Sequence, residues 1–246
     1  MLSVTQIIFK TGLLFCVVLL FAGCSTSQTI TPESQSNQRS DLAQLEALYW
    51  QRLAESRMNF VQADVDFMSK MIVHHAQALI MASLSESRTT DRSIGLLSQR
   101  IINAQNDEIA TMQRWLRDRN QPVPLIEFES VELTVTIEPP RRIAGQRTTH
   151  SVHGSGTTHD HTDMPGMLTE EQLKSIEASK DAVFDELFLQ FMILHHEGAL
   201  TMVYEWFEAD GAGNDEETYR LASDIYSDQK TEIETMRGLL RRMAAN

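Results

Sequence analysis

A motif that occurs twice constrains this chain more than any other feature. Residues 64–81 read DVDFMSKMIVHHAQALIM, and residues 185–202 read DELFLQFMILHHEGALTM. Each copy is followed, in the same order, by a second pair of matching segments at 105–112 and 229–236. A chain built from two such halves is expected to fold as a pseudo-symmetric pair. Because both copies carry adjacent histidines, the fold should bring four histidines towards one interior.

The apolar residues of both repeats recur at the three- and four-residue spacing of amphipathic helices. This spacing predicts one helix pair in residues 60–120, a second in residues 169–246, and a further helix at 41–59. Asp91 is a typical N-cap, and the stretch from Thr169 has the sequence pattern of a capping box. Two helix pairs of this length predict an all-α fold, an antiparallel four-helix bundle with an extra N-terminal helix.

Residues 121–168, between the repeats, are predicted to be an irregular linker rich in histidine and methionine. Alternating apolar residues from Val131 to Ile137 indicate a short strand or an extended crossing within it. The tract 150–167, HSVHGSGTTHDHTDMPGM, has the composition of a metal-binding tract or of a simple polar linker, and both interpretations stay open. Its candidate ligands are His150, His153, His159, His161, Met164 and Met167.

The N-terminus has the pattern of an export signal. Lys10 precedes the apolar run 13–21, which is too short to span a bilayer as a helix. Small residues then precede Cys24, as in bacterial lipoprotein signals that are cleaved before a lipidated cysteine. We therefore predict a signal peptide at 1–23, a lipid anchor on Cys24 and a flexible tether at 24–40.

The lipoprotein signal and the alternative, an ordinary signal peptide cut nearby, both export the protein to the cell envelope or periplasm. Ser25 follows the lipidated cysteine where inner-membrane lipoproteins commonly carry Asp, which favours the outer membrane in a Gram-negative cell. The membrane is thus a predicted partner through the lipid anchor, and an envelope protein partner stays open.

Cysteine usage and charge exclude several classes of function. Cys16 would leave with the signal and Cys24 would carry lipid, so the folded part has no thiol for a disulfide or a thiolate metal site. A formal net charge of −13 at pH 7 argues against nucleic acid as a partner. The chain has no nucleophile elbow and no Gly-rich phosphate loop, and we recognise no catalytic constellation in it.

Histidines and methionines share one face of the first helix in each repeat, because residues three and four apart lie together. Thioether favours Cu(I) and imidazole accepts several metals, so this mixture without thiolate indicates a copper ion as cofactor. Met71 stands three residues before His74, where ferritin-like di-iron sites have Glu, which argues against a di-iron oxidase. Zinc held by four histidines is a further chemical possibility. The predicted metal ligands are Met71, His74, His75, Met81, Met192, His195, His196 and Met202.

The same residues also have a purely structural interpretation. Methionine at helical spacing often fills a core, and a buried histidine is often a hydrogen-bonded structural residue. Adjacent histidines diverge by about 100° around a helix, so one of each pair should face inward and the other should lie at the edge. Six polar residues are predicted either to orient the imidazoles or to cap helices and pair on the surface. They are Asp64, Gln105, Glu108, Asp185, Gln229 and Glu232.

The segments ADVDFMSKMIVHHAQALIMA, QNDEIATMQRWL and MPGMLTEEQL, with FDELFLQFMILHHEGALTM, resemble the bacterial family known as domain of unknown function 305. The resemblance covers residues 60–119 and 164–241. It implies a ferritin-like helical bundle, export and, for some relatives, copper binding and copper tolerance, with no established enzymatic activity. Phe191 departs from the shorter or more polar residue common at its position, and the segment 125–143 and the N-terminal helix are additions. The family's recurrent residues correspond here to Asp64, Met71, His74, His75, Met81, Met164, Met167, Asp185, Met192, His195, His196 and Met202.

These observations predict an exported, membrane-anchored protein that binds copper as Cu(I), for sequestration or delivery in the cell envelope. The alternative is a structural or protein-interaction bundle in which the repeat residues only specify the core.

Overall fold

Six helices and one β-hairpin make up residues 32–56, 58–141 and 163–245, the part of the chain that the computed structural model describes. The predicted all-α, ferritin-like bundle of two helix pairs is confirmed, with the hairpin as an addition to it. The chain divides after Tyr49 into two units, and every element that follows α1 belongs to the second. In chain order the elements are α1 (Pro32–Ser56), α2 (Gln62–Arg88), α3 (Arg92–Asp118), β1 (Val123–Glu129), β2 (Glu132–Glu138), α4 (Glu170–Ala178), α5 (Asp181–Glu208) and α6 (Glu216–Ala244).

Helix α1 begins at Pro32, within the segment 24–40 that was predicted to be a flexible tether. Proline is favoured at the first helical position because its φ is already helical and the amide it lacks would be unpaired there. The residues that follow include Glu, Gln and Arg, which propagate a helix well. The predicted signal peptide and Cys24 lie outside the described residues. None of the described helices combines the length and apolarity that crossing a membrane requires.

Side-chain caps set the starts of three helices. Asp91 accepts hydrogen bonds from the amides of Ser93 and Ile94 at the start of α3, as its position predicts. Thr169 and Gln172 form the predicted capping box of α4. Asp215 accepts from the amide of Thr218 at the start of α6. These local signals fix where each helix begins, and thereby which residues face the interior.

Helices α2 and α5 pack against each other, and each also packs against the helix that follows it, α3 or α6. Two apolar clusters fill the interior that these four helices enclose. On α2 the histidines lie between Ile72 of the first cluster and Ala78 of the second. On α5 they lie between Met192 of the second cluster and Ala199 of the first. The paired histidines therefore form a polar layer between two apolar ones.

The hairpin β1–β2 corrects the prediction that residues 121–168 are irregular. β2 covers the predicted strand, and β1 pairs with it antiparallel from Val123↔Glu138 to Glu129↔Glu132. Ser130 makes the turn with a φ of 52°. β1 escaped prediction because its apolar residues do not alternate: Leu125 and Ile126 are adjacent, and both pack against the first apolar cluster.

Residues 164–168, here called the strap, cross the α2–α5 pair between the end of the undescribed segment 142–162 and α4. The strap lies so close to α5 that a Cβ on Gly198 would stand 2.0 Å from the Pro165 carbonyl oxygen. On the α2 side, the Gln77 side chain donates to the Leu168 carbonyl oxygen at 3.1 Å and accepts from its amide at 2.7 Å. The absence of a side chain at Gly198 allows this close approach, and the Gln77 hydrogen bonds fix the strap to α2.

Candidate metal centre

All four repeat histidines are buried: His74, His75 and His196 are 0% exposed and His195 is 1% exposed. The prediction that one histidine of each pair faces inward and the other lies at the edge is therefore wrong. The reason is that α2 and α5 each pack against two other long helices. Side chains about 100° apart can both point into the bundle, one towards each neighbour.

His74 and His195, at matching positions in the two repeats, meet where α2 packs against α5. Their ring centroids are 3.9 Å apart and the ring planes differ by 35°. His74 Nε2 lies 2.9 Å from the carbonyl oxygen of Pro165 in the strap. Because a carbonyl can only accept, Nε2 is the protonated nitrogen of His74 and Nδ1 carries the lone pair.

His75 and His196 point instead towards the second helix of their own repeats. His75 Nε2 lies 2.7 Å from Glu108 Oε2 on α3, and His196 Nε2 lies 2.8 Å from Glu232 Oε2 on α6. The carboxylate oxygens accept, so each Nε2 donates, and in a neutral ring the lone pair is then on Nδ1. Glu108 and Glu232 thus occupy the imidazole-orienting position that the sequence left open for them.

Among the described residues, the Nδ1 atom of every one of these four histidines lacks a hydrogen-bond partner, and His195 lacks one on Nε2 as well. An unpaired polar atom in a protein interior costs about 1–3 kcal/mol. Four such atoms at matched positions in the two repeats would destabilise a purely structural core. A Lewis acid bound to the Nδ1 atoms would remove that destabilisation.

Burial favours the neutral imidazole, which is the form that binds metal. Burial, helped by the nearby His75, lowers the pKa of His74 to about 3. Burial and the adjacent His74 likewise hold the pKa of His195 well below its usual range. For His196, burial lowers the pKa even though the hydrogen bond to Glu232 acts in the opposite direction. These three rings are neutral at physiological pH.

The predicted methionine ligands surround the histidine layer. Met71, Met81 and Met192 are 0% exposed, and Met202 is 6% exposed. Met71 and Met202 belong to the first apolar cluster, whereas Met81 and Met192 belong to the second. In the strap, Met164 is half-buried against the first cluster and Met167 is half-buried as well.

The remaining predicted site residues are two glutamines and two aspartates. Gln105 and Gln229 are buried at matching positions on α3 and α6, and both have unpaired side-chain amide atoms. Asp64 is a structural residue, since it accepts from Trp206 Nε1 at 2.9 Å and from the Val61 amide at 2.9 Å. Asp185, its counterpart, is buried with an unpaired Oδ1.

Across residues 58–141 and 163–245, no three His, Cys, Asp or Glu side chains stand close enough together to hold one metal ion. A shared site in this region therefore needs thioether ligands or small displacements of the imidazoles. The predicted loop ligands His150, His153, His159 and His161 lie outside the described residues.

Sequence reasoning missed three residues of this centre: Gln77, Pro165 and Gly198. A signal for two of them was present in the repeat alignment, where Gln77 and Gly198 occupy the same position. The mismatch of a large amide with a residue that has no side chain marks the point where the strap breaks the pseudo-symmetry.

Comparison with known proteins agrees with this architecture. A crystal structure of a domain-of-unknown-function-305 fragment from Deinococcus radiodurans is 26% identical, covers 74% of this chain and 97% of its own, and superposes with a TM-score of 0.55. A putative secreted protein of the same family from Streptomyces coelicolor is also 26% identical, with coverages of 74% and 94% and a TM-score of 0.54.

A third solved structure, CopM in its Cu(I)-bound form, is 20% identical, with coverages of 73% and 96% and a TM-score of 0.48. A likeness at that level carries no argument about what this chain binds. A search of curated proteins found no match. The model of domain of unknown function 305 matches residues 64–240, most of the chain, and the protein belongs to that family.

Proposed function

We propose that this protein binds a soft monovalent metal ion, Cu(I), at the histidine layer between α2 and α5, for sequestration or delivery. The observation that carries the proposal is the set of four buried imidazole Nδ1 atoms that have no partner in the part of the chain that the structure describes. Three of these rings direct Nε2 at an acceptor, which leaves Nδ1 as the nitrogen available to a metal ion. The proposal gives the protein a binding role and no catalytic one.

The choice of Cu(I) follows from the donors that surround the layer. Imidazole nitrogen and thioether sulfur suit Cu(I), whereas hard cations prefer oxygen ligands. The residues that would hold the ion are the four histidines, supplemented by Met71, Met81, Met192 and Met202. Bound there, the ion would supply the electron-pair acceptor that the Nδ1 atoms lack.

We propose further that the protein acts in the cell envelope, anchored to a membrane through lipid on Cys24. The sequence before Cys24 supports this location, and the related Streptomyces coelicolor protein is described as secreted. In a Gram-negative cell the outer membrane is the expected site. Metabolic labelling with a radioactive or clickable fatty acid, compared between the wild type and Cys24→Ser, tests the anchor.

An anaerobic Cu(I) competition titration against a chromophoric chelator tests the binding proposal. We expect stoichiometric binding that survives deletion of residues 150–161 and is weakened at least tenfold by Met71→Leu with Met192→Leu. The matched control is Met112→Leu with Met236→Leu, a buried methionine pair that also corresponds between the repeats. Methionine-to-leucine changes conserve volume, so both pairs should fold. Equal affinities of the two double variants would refute a thioether role.

The second candidate function is a structural or interaction module of the envelope. The lack of three convergent His, Asp or Glu side chains within the described residues favours it. This candidate predicts no Cu(I) binding by the wild type. If the wild type binds Cu(I) and deletion of residues 150–161 abolishes all binding, the site would instead lie in the loop.

A further inference from the structure

The buried histidines raise the question of how a metal ion reaches them. Helix α2 packs against both α3 and α5, and α5 packs against α6. Between α3 and α6, by contrast, the described structure has an open groove of about 380 Å³. Four of its eight lining residues are acidic and none is basic. The four are Asp107, Glu108, Asp224 and Asp228.

Glu108 joins this groove to the histidine layer. Its side chain is 12% exposed and lines the groove, while Oε2 lies 2.7 Å from His75 Nε2. The Nε2 corner of the His75 ring therefore meets the inner wall of the groove through Glu108. The ring is 0% exposed, and its Nδ1, which has no hydrogen-bond partner among the described residues, lies at a different corner of the ring from the one that Glu108 holds.

The equivalent residue of the second repeat differs. Glu232 is bonded to His196 in the same way, but its side chain is only 3% exposed and it does not line the groove. Arg100 Nε also lies 3.6 Å from Glu232 Oε1 and opposes its charge. Of the two His–Glu pairs, the groove reaches that of the first repeat.

We propose that the α3–α6 groove is the access route by which a soft monovalent cation reaches the histidine layer, passing Glu108 to His75 first. This inference rests on the proposed function, because it concerns the same centre. It adds a direction of approach, an order of loading and three groove residues, Asp224, Ser227 and Asp228, that act on rate rather than on affinity.

Electrostatics gives the groove its selectivity for cations. A cleft lined by one sign of charge concentrates ions of the opposite sign and raises association rates by about 10- to 1000-fold. Burial raises the pKa of Asp228, and the charges of Glu108 and Glu232 raise it further against the opposing charge of Arg100. At 0.15 M ionic strength such steering extends about 8 Å, so salt should weaken it.

A steric test separates a route from a binding site. Ser227 is an exposed residue of the groove, and Ser227→Trp would fill part of it. Thr201→Trp, on an exposed position of α5 outside the groove, is the control. If the groove is the route, the Ser227 variant slows both uptake and release of Cu(I) by a common factor of about three or more, and its equilibrium affinity is unchanged.

A charge test addresses the steering. Asp224→Asn with Asp228→Asn should slow uptake and flatten its dependence on salt. Asp66→Asn with Glu186→Gln removes the same net charge from exposed positions elsewhere and should leave both unchanged. Cu(I) is supplied as its cationic acetonitrile complex under anaerobic conditions. The reaction is stopped at set times with excess bathocuproine disulfonate, whose absorbance reports the metal not yet bound.

The outcomes distinguish this inference from the proposed function. If the protein binds Cu(I) at equilibrium but none of the groove variants alters the rates, the access route is refuted and the proposed function is not. Equal slowing by the groove pair and the control pair would assign the effect to net charge and would also overturn it. Absence of equilibrium binding by the wild type would refute the proposed function itself, before any rate is measured.

Discussion

The two repeats share a histidine layer but close their ends differently. At the start of α3, Asp91 pairs with Arg242 Nη2 at 3.0 Å, and the side chains are 33% and 48% exposed. At the corresponding start of α6, Asp215 accepts from Arg119 Nη2 at 2.5 Å, and both side chains are at most 2% exposed. The same capping residue is therefore a surface feature in one repeat and part of the core in the other.

An aromatic residue makes the difference between these two ends. Trp115 donates from Nε1 to Asp215 Oδ1 at 3.0 Å, and the Arg119 guanidinium carbon lies 4.2 Å from the Trp115 ring centroid. The corresponding position in the second repeat is Leu239, which can neither donate a hydrogen bond nor attract a cation in this way. Residues that match between the repeats specify the shared centre, whereas residues that differ specify what each end contacts.

The two capping aspartates provide the largest expected contrast. Asp215→Ala leaves Arg119 buried beside only the half-exposed Glu217 and should cost about 3–5 kcal/mol of unfolding free energy. Asp91→Ala removes a partly exposed cap and should cost about 1 kcal/mol. Urea denaturation followed by circular dichroism measures both. Equal losses would show that the buried network adds nothing to a simple cap.

The strap position distinguishes the repeats in a second way. Gly198→Ala puts a Cβ 2.0 Å from the Pro165 carbonyl oxygen, a backbone atom, so the strap has to move. We expect a loss of about 2–3 kcal/mol, a typical cost of overpacking. Gly95→Ala in α3 meets no atom within 4 Å and should instead stabilise the helix by about 0.5–1 kcal/mol. Denaturant unfolding of both variants gives the sign and the size.

Helical periodicity and caps were sufficient to predict most of the scaffold. The helix pair predicted in residues 169–246 is observed as α5 and α6, and Gly211 and Gly213, both with positive φ, lie in the turn between them. Asp91 and Thr169 cap helices where their positions indicated. Local rules succeed at these positions because the interactions they describe span only a few residues.

The centre itself was only partly predictable, because tertiary contacts determine its details. The repeats indicated that the four histidines would come together, but not that His74 would bond a strap residue 91 positions away. The tautomer of each ring depends on such partners, and so does the choice of Nδ1 as the free nitrogen. β1 was missed for a related reason, since burial against the first apolar cluster compensates for its lack of alternation.

Asp64 and Asp185 occupy one repeat position in opposite environments, and their substitutions should differ in sign. Asp64→Ala removes the acceptor of Trp206 Nε1 and should cost about 2 kcal/mol. Burial, by contrast, raises the pKa of Asp185, although a hydrogen bond with the Thr89 side chain acts in the opposite direction. A raised pKa means that the folded state holds the proton more tightly, so this contribution is present at low pH and is lost as pH rises through the folded pKa.

Asp185→Asn, which is neutral at every pH, should therefore be at least as stable as the wild type at pH 7 and gain no advantage at pH 3. Urea unfolding at the two pH values measures the change. A destabilised Asp185→Asn at pH 7 would mean that the hydrogen bond between Thr89 and the ionised carboxylate outweighs the cost of burying the charge.

The smallest expected contrast concerns the two glutamates that orient the histidines. Outer-shell partners of metal-bound histidines are worth about 10- to 100-fold in metal affinity. We expect Glu232→Gln to weaken Cu(I) binding about tenfold and Glu108→Gln by less, because Glu232 is the more deeply buried charge and its effect is less screened by water. Competition titration gives the affinities.

Glutamine keeps an acceptor oxygen at each position, so both variants should retain the imidazole orientation and the fold, which circular dichroism checks. Glu108→Gln should, however, slow uptake more than Glu232→Gln, because only Glu108 lines the groove. If Glu232→Gln reduced both the uptake rate and the affinity more than Glu108→Gln does, the two repeats would be equivalent in access. Their difference would then be confined to the ends of the bundle.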